Sequence, residues 1–460
     1  MATLEDVLST IDANQNGALD RLFALLAIPS VSAVPAHAPD CARAADWLTR
    51  ELVELGFEAA RHDTAGRPMV VGAAKAKTRD APSVLFYGHY DVQPADPLEL
   101  WTTPPFEPRL ADGPRGPRIV ARGACDDKGQ LMTFLEACRA FRANGGLPCN
   151  VTVLLEGEEE TGSVSLPAFL AANAKALKAD LALVCDTEMW DAETPAITTM
   201  LRGLAYEQVT IAAANRDLHS GVYGGAAINP IRVLARILAD LQDADGAVAL
   251  PGFYDGVEEL PEEVAEQWRR LDFDEEAFLG DVGLKVPAGE KGRSTLEMIW
   301  SRPTCDVNGI YGGYEGEGAK TVLPAKATAK VSFRLVGKQN PERVVQSFRA
   351  FVKARLPADV AAEFVSFSAN PAIALSARSE AVRRASRALE AEWGRPAALI
   401  GSGGSIPVVG AFKRELGMDS LLVGFGLADD AIHSPNEKYE RASFHRGARS
   451  WARVLAALAA

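Results

Sequence analysis

Apolar residues along the chain fall into two kinds of pattern. Across residues 42–55, Leu48, Leu52 and Leu55 recur at helical spacing, and the pattern stops at Gly56, a residue suited to the position just past a helix end. Short unbroken apolar runs at 69–73, 84–90, 150–155 and 181–185 read as buried strands. Between them Leu131, Phe134, Leu135, Cys138 and Phe141 mark a further amphipathic helix that ends at Gly145-Gly146. Strand and helix alternate in this way through the first 190 or so residues, which predicts an α/β sheet covered by helices on both faces.

The pattern changes near residue 198. A strand is expected over 204–211, and Asn229-Pro230 then opens a helix with Ile231, Leu234, Ile237, Leu238 and Leu241 inward. The same order returns with a strand over 329–336 and a helix opened by Asn340-Pro341. Two strand-then-helix units predict an inserted split β-α-β domain over 198–376, with the acidic section 257–281 as an insertion. The first pattern resumes with a helix over 380–393, a strand over 398–400, a helix over 406–416, a strand over 421–424 and a terminal helix. Residues 1–197 and 377–460 are therefore expected to build one catalytic domain interrupted by the insert.

A chain of 460 residues exceeds one ordinary core, in keeping with two domains. Its formal net charge of −13 argues against nucleic acid and anionic membrane surfaces as partners. No apolar stretch approaches the length of a membrane span, and the first residues lack the pattern of a signal peptide. Six cysteines without a C-x-x-C pair read as reduced, mostly buried thiols of a cytoplasmic protein. Asp12-x-Asn14-x-Asn16-Gly17 imitates the start of a calcium loop, but the twelfth position is Phe23 rather than a bidentate Glu, so a helix with a polar interruption is expected there.

Chemistry collects at the strand ends. The run 151–155 delivers Glu158, Glu159 and Glu160 to one point, where their repulsion is relieved either by solvent or by a bound cation. The run 84–90 ends in His89-Tyr90-Asp91, and side chains two apart on a strand share a face, so Asp91 can orient the His89 imidazole. Asp126 and Asp127 stand before a helix, where a capping role competes with ligation; Asp186 ends the run 181–185; His433 follows the strand at 421–424. Each is expected at the C-terminal edge of the same sheet, where such sheets place their sites. Imidazoles and carboxylates without cysteine pairs suit a metal such as zinc.

Eight segments in order, GHYDVQP, RGACDDKG, EGEEETGS, VCDTE, DLHSGVYGG, KTVLPAKATAKVSFRLV, GGSIPVV and DDAIHSPNEK, resemble the co-catalytic zinc metallopeptidases: carnosinases, cytosolic dipeptidases, aminoacylases and glutamate carboxypeptidase. The GHYDVQP form and the long insertion look most like the carnosinase-like dipeptidase branch. The resemblance implies a mixed-sheet catalytic domain carrying a ferredoxin-like lid and dimerisation insert. It implies two zinc ions, with manganese or cobalt as possible substitutes, bridged by Asp126. His89 and Asp186 would complete one site, and Glu160 and His433 the other. Glu159 would be the catalytic base and Asp91 the clamp behind His89, with a cis peptide at Asp126-Asp127. His219 would reach the active site of the partner subunit in a homodimer and stabilise the oxyanion. Arg334 would grip the substrate carboxylate, beside Gly404 and Ser405. Glu158 is left as a solvated residue.

What the resemblance implies is hydrolysis of dipeptides with a free C-terminal carboxylate. An N-acyl-amino-acid amidohydrolase with the same metal site is the alternative, and a metal-binding scaffold without catalysis a more distant one. Gly401-Ser402 stands where carnosinases carry Arg-Glu, so substrate preference at this loop does not transfer from them.

Overall fold

The apolar run ending at His89 becomes the middle of a mixed sheet. Strand Ser83–His89 pairs in parallel with Asn150–Glu156 on one side and with Leu181–Val184 on the other. Val84, Leu85, Phe86 and Tyr87 are all buried, as unbroken apolar runs must be when both faces of a parallel sheet are covered. Met69–Ala74 and Glu58–His62 extend the sheet antiparallel beyond Asn150–Glu156, and Ser420–Leu422 extends it in parallel beyond Leu181–Val184.

Phe86 and Tyr87 show how the two faces are covered. Phe86 stacks on Phe134 of helix Lys128–Ala143 with ring centroids 3.8 Å apart, and Trp451 of helix Arg441–Ala459 meets both rings edge-on. Tyr87, pointing the other way, meets Phe412 edge-on at 5.8 Å. Helices thus lie on both sides, and the expected α/β architecture is observed. Asn14 separates helices Leu4–Ala13 and Gln15–Leu26, and Phe23 lies within the second. All six cysteines are free and buried. No helix among the described residues is long and apolar enough to cross a membrane.

The computed structural model describes residues 3–404 and 406–460 and separates into two compact units. The first comprises the chain up to Thr199 with Leu375–Ile400 and Pro407–Ala460; the second comprises Met200–Ala374 and Gly401–Ile406. The second unit holds an antiparallel sheet in the order Thr304–Tyr311, Lys326–Leu335, Gly203–Ala212, Ala361–Asn370. Helices Pro230–Ala239 and Pro341–Lys353 start where Asn229 and Asn340 accept hydrogen bonds from the backbone N–H groups of Ile231 and Arg343. Val209, Val331, Phe333, Leu234 and Phe348 share one apolar core in this unit.

Residues 401–406, expected with the first domain, cluster with the second unit. The physical reason is close packing: a Cβ on Gly401 would come within 2.5 Å of the Trp300 side chain, and the Arg202 guanidinium donates to the Gly403 carbonyl.

Candidate active site

Three parallel strands end together, and the loops beyond them carry the first part of the site. His89 closes its strand in register with Glu156, so the imidazole stands beside the turn that carries the glutamate triplet. That turn is not strand-like: Glu159–Thr161 forms a single 3-10 turn. Glu158 is not solvated either. It is buried, and its carboxylate accepts a hydrogen bond from Ser165 N near the start of helix Leu166–Leu177.

Asp126 corrects a second expectation. It does not follow a strand of the main sheet. It lies between Arg118–Val120, a strand of a separate three-stranded sheet, and helix Lys128–Ala143. Lys438–Glu440, just after the His433 loop, is the antiparallel neighbour of Arg118–Val120. The small sheet therefore ties the Asp126 loop to the His433 loop.

The distances bring five of the named side chains together. His89 Nε2 lies 3.0 Å from Asp126 Oδ1 and 3.9 Å from Asp186 Oδ2. His433 Nε2 lies 2.9 Å from Asp126 Oδ2 and 3.3 Å from Glu160 Oε2. Two groups result, His89 with Asp126 and Asp186, and Asp126 with Glu160 and His433, each with ligand atoms within 4.8 Å of one another. Asp126 belongs to both and turns one oxygen to each. His89 Nε2 is buried, and despite its nearness to Asp126 it is aligned for no hydrogen bond. A lone pair aimed into a cluster of carboxylates, without a proton acceptor on axis, fits a cation rather than a hydrogen-bond network.

Charge is concentrated accordingly. The carboxyl of Asp126, despite its burial, is held well below the usual range by its hydrogen-bonding contact with His433 and by the nearby His89 imidazole. Burial pushes Asp186 up, and the charges of Asp126 and Asp127 add to the push. His433 is raised to about 10, chiefly by its contacts to Asp126 and Glu160. Glu159 is raised by burial, His89 opposing and the neighbouring carboxylates Glu160, Asp91 and Asp126 adding to the rise, and among the described residues its carboxylate has no hydrogen-bond or ion-pair partner.

The motif that frames this cluster also decides its ancestry. The model of peptidase family M20/M25/M40 matches residues 85–457. The chain belongs to that family. Family and metallodipeptidase relatives together make the chain a metallopeptidase. The Cys-Gly metallodipeptidase DUG1 of Candida albicans is 31% identical over 97% of this chain and 96% of its own length. The human Beta-Ala-His dipeptidase is 29% identical over 98% of this chain and 92% of its own. Among solved structures, the M20 metallo-carboxypeptidase Sso-CP2 of Sulfolobus solfataricus matches with a TM-score of 0.82 at 30% identity, covering 96% of this chain and 99% of its own.

Within this M20 chain several groups hold the cluster in place. Asp91 is buried, with Oδ1 3.5 Å from His89 Nδ1, and it also accepts the backbone N–H groups of Glu159 and Glu160. Gln93 donates to Glu160 Oε2 at 2.8 Å. Asp127, joined to Asp126 by a cis peptide, does not cap its helix with its side chain; it accepts from His89 N instead. Glu437, in the segment DDAIHSPNEK that carries His433, has no role in the sequence reading. Its two oxygens accept from Arg122 Nη1, Gly123 N, Cys125 N and Asp126 N at 2.8–3.1 Å. A glutamate four positions after a candidate ligand was the available signal.

The remaining expected residues lie in the second unit. His219 is exposed, and its Nδ1 accepts from Gly221 N at 2.9 Å, which leaves Nε2 as the protonated nitrogen. Arg334 is half-buried on the face of its strand opposite Phe333 and Leu335. Gly404 is exposed and donates to Ser402 Oγ; Ser405 lies outside the described residues.

Proposed function

We propose that this protein hydrolyses the peptide bond of dipeptides with a free C-terminal carboxylate at a pair of divalent metal ions. The observation that carries the reading is the placement of Asp126 between two ligand groups, one carboxylate oxygen toward each. Two imidazoles and three carboxylates without a thiolate suit zinc, and the same oxygen-rich set accepts manganese or cobalt. A pair of such ions held by His89, Asp126, Asp186, Glu160 and His433 would supply Lewis acidity toward a scissile carbonyl and toward water.

The chain's own groups account for the rest. Asp91 fixes the His89 ring from behind and the Glu159-Glu160 backbone from below. Glu159, raised by burial and without a partner, takes a proton from the attacking water and returns it to the leaving amine. His219, with its proton on Nε2, is a donor for the oxyanion, an effect typically worth about 3–4 kcal/mol. Its role in the partner subunit's site makes a homodimer through the inserted unit part of the proposal. Arg334 and Gly404 are assigned to the substrate carboxylate end.

The dipeptidase names of the Candida and human relatives support the substrate class, and the amidohydrolase alternative has no such support from them. The test is Glu159→Gln. It should keep its metal content and lose turnover of dipeptides by about 10²–10⁴-fold. Equal loss of metal and turnover would show that Glu159 is a ligand or a structural residue instead of the base.

A further inference from the structure

Two arginines of the second unit lie at the same end of its sheet. Arg334 is in register with Leu204, and Arg202 immediately precedes the strand Gly203–Ala212, whose first residue is in register with Leu335. Diagonal positions on adjacent strands are about 7–8 Å apart, within reach of long side chains. Arg202 is half-buried; its Nε donates to Gly403 O and its Nη1 to Met298 O, both at 3.3 Å. Those acceptors are neutral carbonyls. Arg334 has no hydrogen-bond or ion-pair partner among the described residues. Asp306 takes a hydrogen bond from Thr304 Oγ1 and forms no ion pair with either arginine. Burial and the charge of Arg334 push the Arg202 guanidinium down to about 10, with Asp306 opposing. A Cβ on Gly403 would come 2.9 Å from Arg202 Nη2, so the absence of a side chain there lets the guanidinium lie against the loop.

Like charges partly removed from water repel, and a folded protein keeps them together at a cost unless an anion joins them. Each guanidinium presents five N–H donors in a planar fork that fits a carboxylate. Arg202 spends two of its donor atoms on the backbone and Arg334 spends none.

We propose that Arg202 is a second substrate-binding residue, forming with Arg334 a two-guanidinium receptor for the free carboxylate of the dipeptide. This rests on the dipeptidase reading above and names the group that distinguishes a free carboxylate from an amide. The competing role for Arg202 is a pin that merely ties the Gly401–Ile406 loop to its unit.

The experiment compares a dipeptide with its C-terminal amide as probes, in the metal-loaded protein, for wild type, Arg202→Met and Arg202→Lys. Arg202→Met should raise KM for the free dipeptide by about 10–100-fold, the usual size of a lost hydrogen bond to a charged group, with kcat changed much less. KM for the amide should not move, and Arg202→Lys, which keeps the charge but not the fork, should fall between. Calorimetric binding of both probes to Glu159→Gln protein, with and without Arg202→Met, reads recognition without turnover. Failure of wild type to hydrolyse any dipeptide would therefore sink the dipeptidase reading while the binding arm still decides the receptor. Equal weakening of both probes, unchanged binding of the free dipeptide, or no binding of either probe would overturn the proposal.

Discussion

Asp91 grips the backbone of Glu159 and Glu160 at once: Oδ1 accepts from Glu159 N at 3.2 Å and Oδ2 from Glu160 N at 3.1 Å. The same carboxylate stands 3.5 Å from His89 Nδ1. One buried residue thus sets the candidate base and one candidate ligand through its carboxylate, and the imidazole of another through its backbone carbonyl, 3.1 Å from His89 Nδ1. Asp91→Asn turns an N–H group toward one of those donors and removes the charge. The expected result is a loss of about 10–100-fold in metal affinity or kcat/KM, the range for groups behind a metal ligand. Metal titration and steady-state kinetics on the same preparation check it; a variant indistinguishable from wild type in both would remove Asp91 from the site's architecture.

Glu437 does for the Asp126 loop what Asp91 does for the glutamate turn. It pairs with Arg122 at 2.8 Å, both groups being almost fully buried, and receives three backbone N–H groups. Glu437→Ala leaves a buried guanidinium and those N–H groups unpaired, which should cost about 3–5 kcal/mol in denaturant unfolding of the apo protein. Bound metal should fall as well, because Asp126 N is one of the released donors. Glu437→Gln, which keeps an acceptor, should recover part of both losses.

The strands that bring the site together were legible because they are buried on both faces and carry unbroken apolar residues, as Val84 to Tyr87 do. The helices of the second unit were legible from Asn229-Pro230 and Asn340-Pro341, whose capping chemistry is local. The edge strands Thr304–Tyr311 and Ala361–Asn370 were not. Val307, Ile310, Tyr311, Val365 and Phe367 are exposed, so neither strand shows the apolar face that periodicity detects. At the site, histidines and carboxylates could be named from their motifs, but the conformation between them is set by tertiary hydrogen bonds. Glu158 to Glu160 look like the end of a strand in sequence and form a turn because Asp91 holds their backbone. Glu158 looks solvated and is buried because Ser165 N needs an acceptor.

In the second unit Glu207 lies on the helix-facing side of its strand, fully buried, where Arg349 pairs with both of its oxygens at 2.7 and 3.1 Å. Arg349 is itself partly exposed. Arg349→Ala should therefore destabilise the protein by about 1–3 kcal/mol, mainly through the carboxylate left without its partner. Replacing both residues by leucine should restore stability to within about 1 kcal/mol of wild type, since an apolar pair spares the desolvation of two charges. A double variant no better than Arg349→Ala in denaturant unfolding would mean that the pair specifies the helix position.

His445, on helix Arg441–Ala459, supplies a test of pH dependence away from the candidate metal ligands. Burial lowers its pKa below the usual histidine value of about 6.5; Asp12, whose Oδ1 is 3.0 Å away, pulls upward, Arg449 pushes down and Glu392 pulls upward. Gln15 Nε2 completes its surroundings at 3.5 Å. A histidine kept neutral in the fold binds its proton more readily once unfolded. Below the unfolded value of about 6.5 the unfolded chain therefore holds more protons, and stability falls as the pH falls. The contribution is neutral well above that value and becomes a loss as the pH drops through it. His445→Gln keeps a hydrogen-bonding side chain and removes the titration. Thermal unfolding of the metal-free protein from about pH 8 to about pH 5 should give a smaller decline in Tm for His445→Gln than for wild type, with the two curves parallel above about pH 7. Parallel curves over the whole range would show that His445 titrates alike in the folded and unfolded chain, and a steeper decline in the variant would reverse the sign assigned to its burial.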